Sequence, residues 1–287
     1  MNIILSIRSL SNMADRLCLG VRRHPMYSPG HVEGDTRILQ QTAEALRRRG
    51  YPVEIRDETD LGGDIPARVI FTMAQSPEGV RRLGVLQRQG RVVVNSPESI
   101  RNCRRTRMIP LLQAVGVPLP RSRFVDLRSG LRRPAVFPES GRVWVKRGDV
   151  HATEPGDVVA VDDERDLTLV LERFRQRGLY RVLIQAHVVG DLVKFYAVRG
   201  TPFFFWHFPA SEAQGRVDPA VLRHWATRAA EALGLDVYGG DAIVTPDGSV
   251  VIIDVNDWPS FGPCAEEAAP YIADRILQRA RAAGVIG

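Results

Sequence analysis

Long apolar runs are missing from this chain of 287 residues. A helix that crosses a membrane needs ~20 consecutive apolar residues, and no stretch approaches that. Cysteine is scarce too: Cys18, Cys103 and Cys264 are odd in number and far apart. They suggest neither a disulfide framework nor a CxxC zinc site, so a reducing, cytoplasmic setting is expected. The opening MNIILSIRSL is too short for a signal peptide and is interrupted by Arg8, so it reads as a first strand. GxxxxGK[ST], GxGxxG and the kinase HRD set are all absent, which removes the commoner nucleotide-binding motifs. No internal repeat or low-complexity tract is found.

The scarcest informative residue is lysine. Of 39 lysines and arginines only two are lysine, Lys146 and Lys194. Each lies inside an apolar run, VWVKRGD and LVKFYAV, where a solvated cation is out of place. Lysine is a compact point charge that meets a phosphate end-on, which the planar fork of arginine does not reproduce. These two positions therefore point to function.

What is present fits a globular protein of two or three packed units: 44% of residues are hydrophobic and 25% charged, enough for sizeable cores. The net charge of +6 suits an anionic small molecule or nucleic acid. The aromatics do not interleave with the arginine clusters, so nucleic acid is not the expected partner.

Over the first hundred residues strands alternate with helices: NIILSI, then ILQQTAEALRRRG with Gly50 as stop, YPVEIRD, ARVIFTM, GVRRLGVLQRQG and RVVVN. This alternation predicts a parallel sheet with helices on its faces. Ser96-Pro97 starts a helix through NCRRTRMIPLLQAVG, with Pro110 as its expected kink. An extended linker, VPLPRSRFV, follows. Beyond it the pattern is α+β: RVWVKR, DVVAV and VLIQAHV around the helix DERDLTLVLERFRQRG. Long strands DLVKFYAV and TPFFFWHF come next, then a helix capped by Asp218-Pro219, a strand pair and a closing helix.

That strand pair, GGDAIVTPDGSVVIIDVN, turns on Pro246-Asp247-Gly248. A two-residue tip at Asp247-Gly248 sets Asp241 directly opposite Asp254, with Cβ atoms ~5 Å apart. Asn256 shares their face. Facing carboxylates need a cation, and oxygen-only ligands with room to spare suit Mg2+. Asp241, Asp254 and Asn256 are the expected ligands of one or two such ions.

A lysine in a strand of an α+β module, a second lysine on a later strand and a late D…DxN pair together resemble the ATP-grasp superfamily. The resemblance runs from about Val92 to Tyr271 and includes VVVNSPESIRNCRRTRMIPLLQAVGVPLPRS and LIQAHVVGD. It implies an ATP-grasp fold, α/β and α+β, behind a Rossmann-like parallel-sheet domain. Residues 1–103 would form that N-terminal domain, 104–187 the small lobe and 188–287 the lobe with the metal site. ATP would be the nucleotide: Lys146 on its α- and β-phosphates, Lys194 on β and γ, and the loop 148–157 closing over them. Gln185 and the backbone at Ala186 and Val188 would read adenine, and Asp191 the ribose. Where the family often has a first lysine, the chain offers Arg104, Arg105 or Arg107, with Arg105 taken for the site. Lys146, Lys194 and Arg199 would be catalytic. His151 and His187 would lie near the nucleotide.

The reaction expected first is ligation of a carboxylate through an acyl phosphate. The alternative is a kinase acting on a polyanionic acceptor, because the DVNDWPSF ending is similar to that of ATP-grasp inositol phosphate kinases. Either acceptor is a small anionic molecule. Arg8, Arg22, Arg23, His24, Ser28, His31 and Ser260 are the candidates to hold it, the middle five clustering before a helix N-terminus. A homodimer is left open.

Overall fold

The computed structural model describes residues 16–129, 141–149, 154–210 and 216–286. The expected first strand, Arg8 and His151 lie outside the described residues. So do residues 150–153 of the 148–157 loop.

The first described strand is one that the sequence reading passed over. β1 (Cys18–Arg22) is central in a parallel sheet of order β2-β1-β3-β4, with β2 (Val53–Asp57), β3 (Val69–Thr72) and β4 (Val92–Val94). Strand alternation divides its residues between two cores. Cys18, Val69, Phe71 and Val94 pack under α1 (Val32–Arg48), while Leu19, Val21, Ile70 and Val93 pack under α2 (Pro77–Arg88). The C-terminal helix, α7 (Ala265–Ala282), covers the same face as α1.

After β4, Ser96 caps α3 (Pro97–Asn102) by accepting from the Ser99 N–H at 3.0 Å, as its sequence signature requires. The expected single helix breaks earlier than Pro110. Arg104 is extended, and α4 (Arg105–Ala114) begins immediately after it with Pro110 inside. The break sets Arg105 at the first helical position, and the next N–H, of Thr106, is satisfied by the Gly148 carbonyl at 3.2 Å.

Part of the expected linker pairs instead as β5 (Ser122–Asp126), an edge strand of the antiparallel sheet β5-β8-β6-β7. Its other strands are β6 (Val143–Arg147), β7 (Val158–Val161) and β8 (Arg181–Ala186). The helix α5 (Glu164–Gln176), capped by Asp163, buries Leu167, Val170, Leu171 and Phe174 against one face of this sheet. The opposite face carries Trp144, Lys146 and Gln185.

A third sheet, antiparallel and ordered β10-β9-β11-β12, contains β9 (Asp191–Val198), β10 (Phe204–His207), β11 (Val237–Val244) and β12 (Val250–Asp257). The helix α6 (Pro219–Leu233) covers its back with Leu222, Ala226 and Leu233. The closing helix α7 (Ala265–Ala282) then returns to the first sheet. Buried Asn95 ties the two parts together: its side chain donates to the Val237 carbonyl and accepts from the N–H groups of Asp236 and Val237. Among the described residues no helix is long and apolar enough to cross a membrane.

Candidate active site

The two antiparallel sheets face one another across a cleft of about 830 Å3 that runs on to the carboxyl ends of the parallel strands. Open α/β sheets place their ligands at that end.

The β11–β12 hairpin sets the floor. Its loop is one residue longer than the expected tip. The Thr245 N–H donates to Ser249, and Gly248 takes φ +82°, the left-handed value that a three-residue loop needs. Near the tip the pairs are Val244 with Val250 and Ala242 with Ile252, one residue out of the expected register. A bulge at Ile253 absorbs the difference, so that Asp241 does stand opposite Asp254.

Each carboxylate has its own cation. Lys194 Nζ lies 2.8 Å from Asp241 Oδ1, and Arg105 Nη2 lies 2.5 Å from Asp254 Oδ2. Arg105 also donates to the Arg147 carbonyl at 3.1 Å, so of the three arginines considered it is the one in the site; Arg107 pairs outside with Glu98. Asn256 completes this face, and its amide has no hydrogen-bond partner among the described residues. Among those residues no group of three or more His, Cys, Asp and Glu closes around a metal position. Two carboxylates and an amide oxygen are an incomplete, oxygen-only set. That fits Mg2+, which keeps waters and shares phosphate oxygens.

Lys146 forms the opposite wall. It is 5% exposed, and its Nζ donates to Gln185 Oε1 at 2.7 Å. Gln185 Nε2 in turn donates to Ser122 Oγ at 3.3 Å, which fixes the amide's orientation. Burial brings the Lys146 ammonium down to about 8, with Arg105 adding to the effect and Asp254 and Asp241 opposing it. Trp144 donates to His187 Nδ1 at 3.2 Å beside it. Ala186 and Val188 line the cleft; the Ala186 N–H is taken by the Arg121 carbonyl, whereas that of Val188 has no backbone partner among the described residues. Val158, Leu192 and Ile253 supply apolar walls at this end.

Two expected residues are not brought into the cleft. Arg199 stands just past β9, its N–H on the Asp236 carbonyl; five residues separate it from Lys194, an odd number that also turns it to the other face. Asp191, three residues before Lys194, is on the far face for the same reason and does not line the cleft.

The acceptor candidates divide similarly. Arg22 pairs with Asp57 away from the cleft, and His24 Nδ1 accepts from the Met26 N–H in a tight turn. Arg23, Ser28, His31 and Ser260 do line it. Arg23 is a clamp: it donates to Met73 O, Trp258 O and Asp35 Oδ2 at 3.1, 2.9 and 2.9 Å. Ser28 Oγ donates to the same Asp35 oxygen at 2.6 Å.

Sequence reasoning missed Tyr27, Asp35, Gln75, Tyr196 and Asp257, which complete this end. Asp257 accepts from Gln75 Nε2 at 2.7 Å. Such pairs join residues 182 positions apart and leave no local signal; strand parity with Lys194 would have found Tyr196. The WPSF segment has a geometry of its own. Trp258 and Phe261 are fully buried with φ of +47° and +51°, values that side chains other than glycine rarely adopt. Trp258 stacks on Phe71 and Phe261 packs on Tyr196 and Phe203, so the two aromatics pin a turn whose middle, Pro259-Ser260, is held over the cleft. Gly239 leaves the room: a Cβ there would meet Pro259 Cγ at 2.8 Å.

No protein-family model matches the chain, and no curated protein matches it in sequence. Solved structures do match. A RimK domain ATP-grasp protein from Sphaerobacter thermophilus superposes with a TM-score of 0.66 at 20% identity, over 91% of this chain and 99% of that one. D-alanyl-alanine synthetase A from Vibrio cholerae gives 0.71 at 12% identity, over 93% and 97%. The D-alanine–D-alanine ligase from Bacillus anthracis, in complex with ATP, gives 0.67 at 15%, over 93% and 98%. The chain has the ATP-grasp fold, with the parallel-sheet domain in front of two antiparallel lobes.

Proposed function

We propose that the protein is an ATP- and Mg2+-dependent ligase that joins a small-molecule carboxylate to an amine or other nucleophile through an acyl phosphate. The observation that carries this is the meeting of Arg105, Lys146 and Lys194 with Asp241, Asp254 and Asn256 in one cleft between two antiparallel sheets. The structures matched above, named as ligases or synthetases, support the same reaction class.

Adenine would lie between the apolar walls, with the Val188 N–H as a donor to its edge. Lys146 would hold the α- and β-phosphates, and Lys194, half-exposed on β9, the β- and γ-phosphates. Asp241, Asp254 and Asn256 would hold Mg2+, which supplies charge neutralisation at the phosphates. The chain's own work is positioning and electrostatic stabilisation, which is most of what phosphoryl transfer requires. A carboxylate oxygen attacks the γ-phosphorus while the bond to ADP breaks, and the nucleophile then displaces phosphate from the acyl carbon.

Products decide the reading. With a pool of carboxylates, ATP and hydroxylamine, a ligase yields ADP and a hydroxamate. ADP with a new phosphate ester and no hydroxamate would establish the kinase alternative instead.

A further inference from the structure

Arg105 and Lys194 each meet a carboxylate in the cleft, Asp254 and Asp241, whereas Lys146 donates to a neutral amide, Gln185 Oε1, at 2.7 Å. A neutral anchor places the ammonium without cancelling the charge that a phosphate would use. The anchor works in one orientation only. The two ends of a glutamine amide are nearly equal in shape, and turned over it would set its NH2 against the ammonium, donor against donor.

Ser122 decides which way the amide lies. It stands directly opposite Gln185 in the β5–β8 pairing, while Lys146, opposite Leu183 across β6–β8, is the diagonal neighbour of Gln185 on the other side. A serine hydroxyl has one hydrogen, and that of Ser122 is donated to the Pro120 carbonyl at 2.8 Å. Its oxygen is left as an acceptor and receives Gln185 Nε2 at 3.3 Å. The bonds therefore run one way, from Lys146 to Gln185 to Ser122 to Pro120, and end on a carbonyl that has no proton to give. Gln185 is 1% exposed, so water is a poor substitute for either partner.

We infer that Ser122 is a positioning residue for nucleotide binding: held by Pro120 as an acceptor, it locks the Gln185 amide and, through it, the Lys146 ammonium. This rests on Lys146 holding phosphate, as proposed above. Ser122 is not among the residues that line the cleft, so it acts through Gln185 and not by contact with the nucleotide.

The test is equilibrium binding of a non-hydrolysable ATP analogue with Mg2+ to the full chain and its variants. Ser122→Ala should weaken binding about tenfold, the loss expected when one charge-assisted hydrogen bond is set free to misalign. Ser122→Thr keeps the hydroxyl and should bind as the unaltered chain does. In Gln185→Leu the route from Ser122 to Lys146 is gone, so adding Ser122→Ala should change the Kd by less than about twofold. A merely structural role in the edge strand would weaken binding equally in both backgrounds. Should Ser122→Ala fail to fold, Ser122→Cys, close in size but a weak donor and acceptor, takes its place. An unchanged Kd, no rescue by threonine, or a loss that persists beside Gln185→Leu overturns the inference. Two results separate this failure from that of the reading beneath it. Lys146→Met that binds as tightly as the unaltered chain removes the phosphate role and the inference with it. A phosphate ester in place of hydroxamate in the product assay sinks the ligase reading and leaves the role of Ser122 standing.

Discussion

Asp241 and Asp254 face each other across the β11–β12 hairpin, and each is neutralised by a different cation in a different environment. The Arg105–Asp254 pair is buried, with side chains 6% and 11% exposed, whereas Lys194–Asp241 is at 37% and 29%. One pair is therefore part of the packing between α4 and the hairpin. The other is open to exchange with a ligand.

The two carboxylates should consequently respond differently to the same change. In Asp254→Asn the buried guanidinium loses its counter-charge, which costs about 3 kcal/mol or more of stability. Asp241→Asn breaks a half-exposed pair and should cost within about 1 kcal/mol. Both should lower ATP turnover by roughly 100-fold or more, because both remove charge from the phosphate end. Urea unfolding beside an ADP assay measures the two effects, and equal stability losses would contradict the assignment of burial.

Lys146 gives the site a pH dependence with a definite sign. Its folded value of about 8 lies below the ordinary 10.5 because burial disfavours the ammonium. Below pH 8 the lysine is charged both folded and unfolded, and the cost of burying the charge is fully present. As pH rises from 8 to 10.5 the folded form loses its proton first, so this group's contribution to stability improves. If Lys146 holds phosphate as proposed, binding needs its charged form, so the Kd for Mg-ATP should rise about tenfold per pH unit above 8, with one proton taken up on binding. Calorimetry in buffers of different ionisation heat counts that proton. Lys146→Met should abolish the uptake, and an uptake that persists would assign it to another group.

Much of this site was legible in the sequence, and the failures have physical causes. The two lysines stood out because nearly every other cation is arginine, and both reached the cleft. The Asp241–Asp254 pairing came out as expected only because the bulge at Ile253 offsets the longer turn, and no residue type in VVIID announces a bulge. Arg105 could not be told from Arg104 or Arg107, because the helix break before it is set by packing. Arg199 and Asp191, in contrast, were excludable by counting strand parity from Lys194. Asp35, Gln75 and Asp257 meet only through the tertiary fold. In the first sheet β1 was overlooked because its apolar run, Leu17 to Val21, is short and precedes the basic segment that drew notice.

The WPSF turn can be tested through its backbone. Phe261 fills a fully buried position, so Phe261→Ala should cost about 3–5 kcal/mol. Ordinarily glycine at the same place would be worse still. At φ +51° glycine adopts the conformation without strain, so Phe261→Gly should be at least as stable as Phe261→Ala. Chemical denaturation of the pair decides it, and a glycine variant weaker by about 1 kcal/mol would mean that the turn is not held in the left-handed region.

Metal binding should depend on the nucleotide because the carboxylates proposed to hold the metal already have partners. Mg2+ alone must displace Arg105 from Asp254 or Lys194 from Asp241, and gains little by exchanging one cation for another. Millimolar Mg2+ without nucleotide should therefore shift Tm by less than about 1 °C, while Mg-ATP raises it by several degrees through binding to the folded state. Lys194→Ala changes the balance. Asp241 then faces Asp254 without its own cation, the repulsion between them grows, and Mg2+ alone becomes a stabiliser of that variant. A thermal-shift series over Mg2+ concentration on both proteins makes the comparison. Strong stabilisation of the unaltered chain by Mg2+ alone would show that Lys194 and Arg105 do not hold these carboxylates in solution.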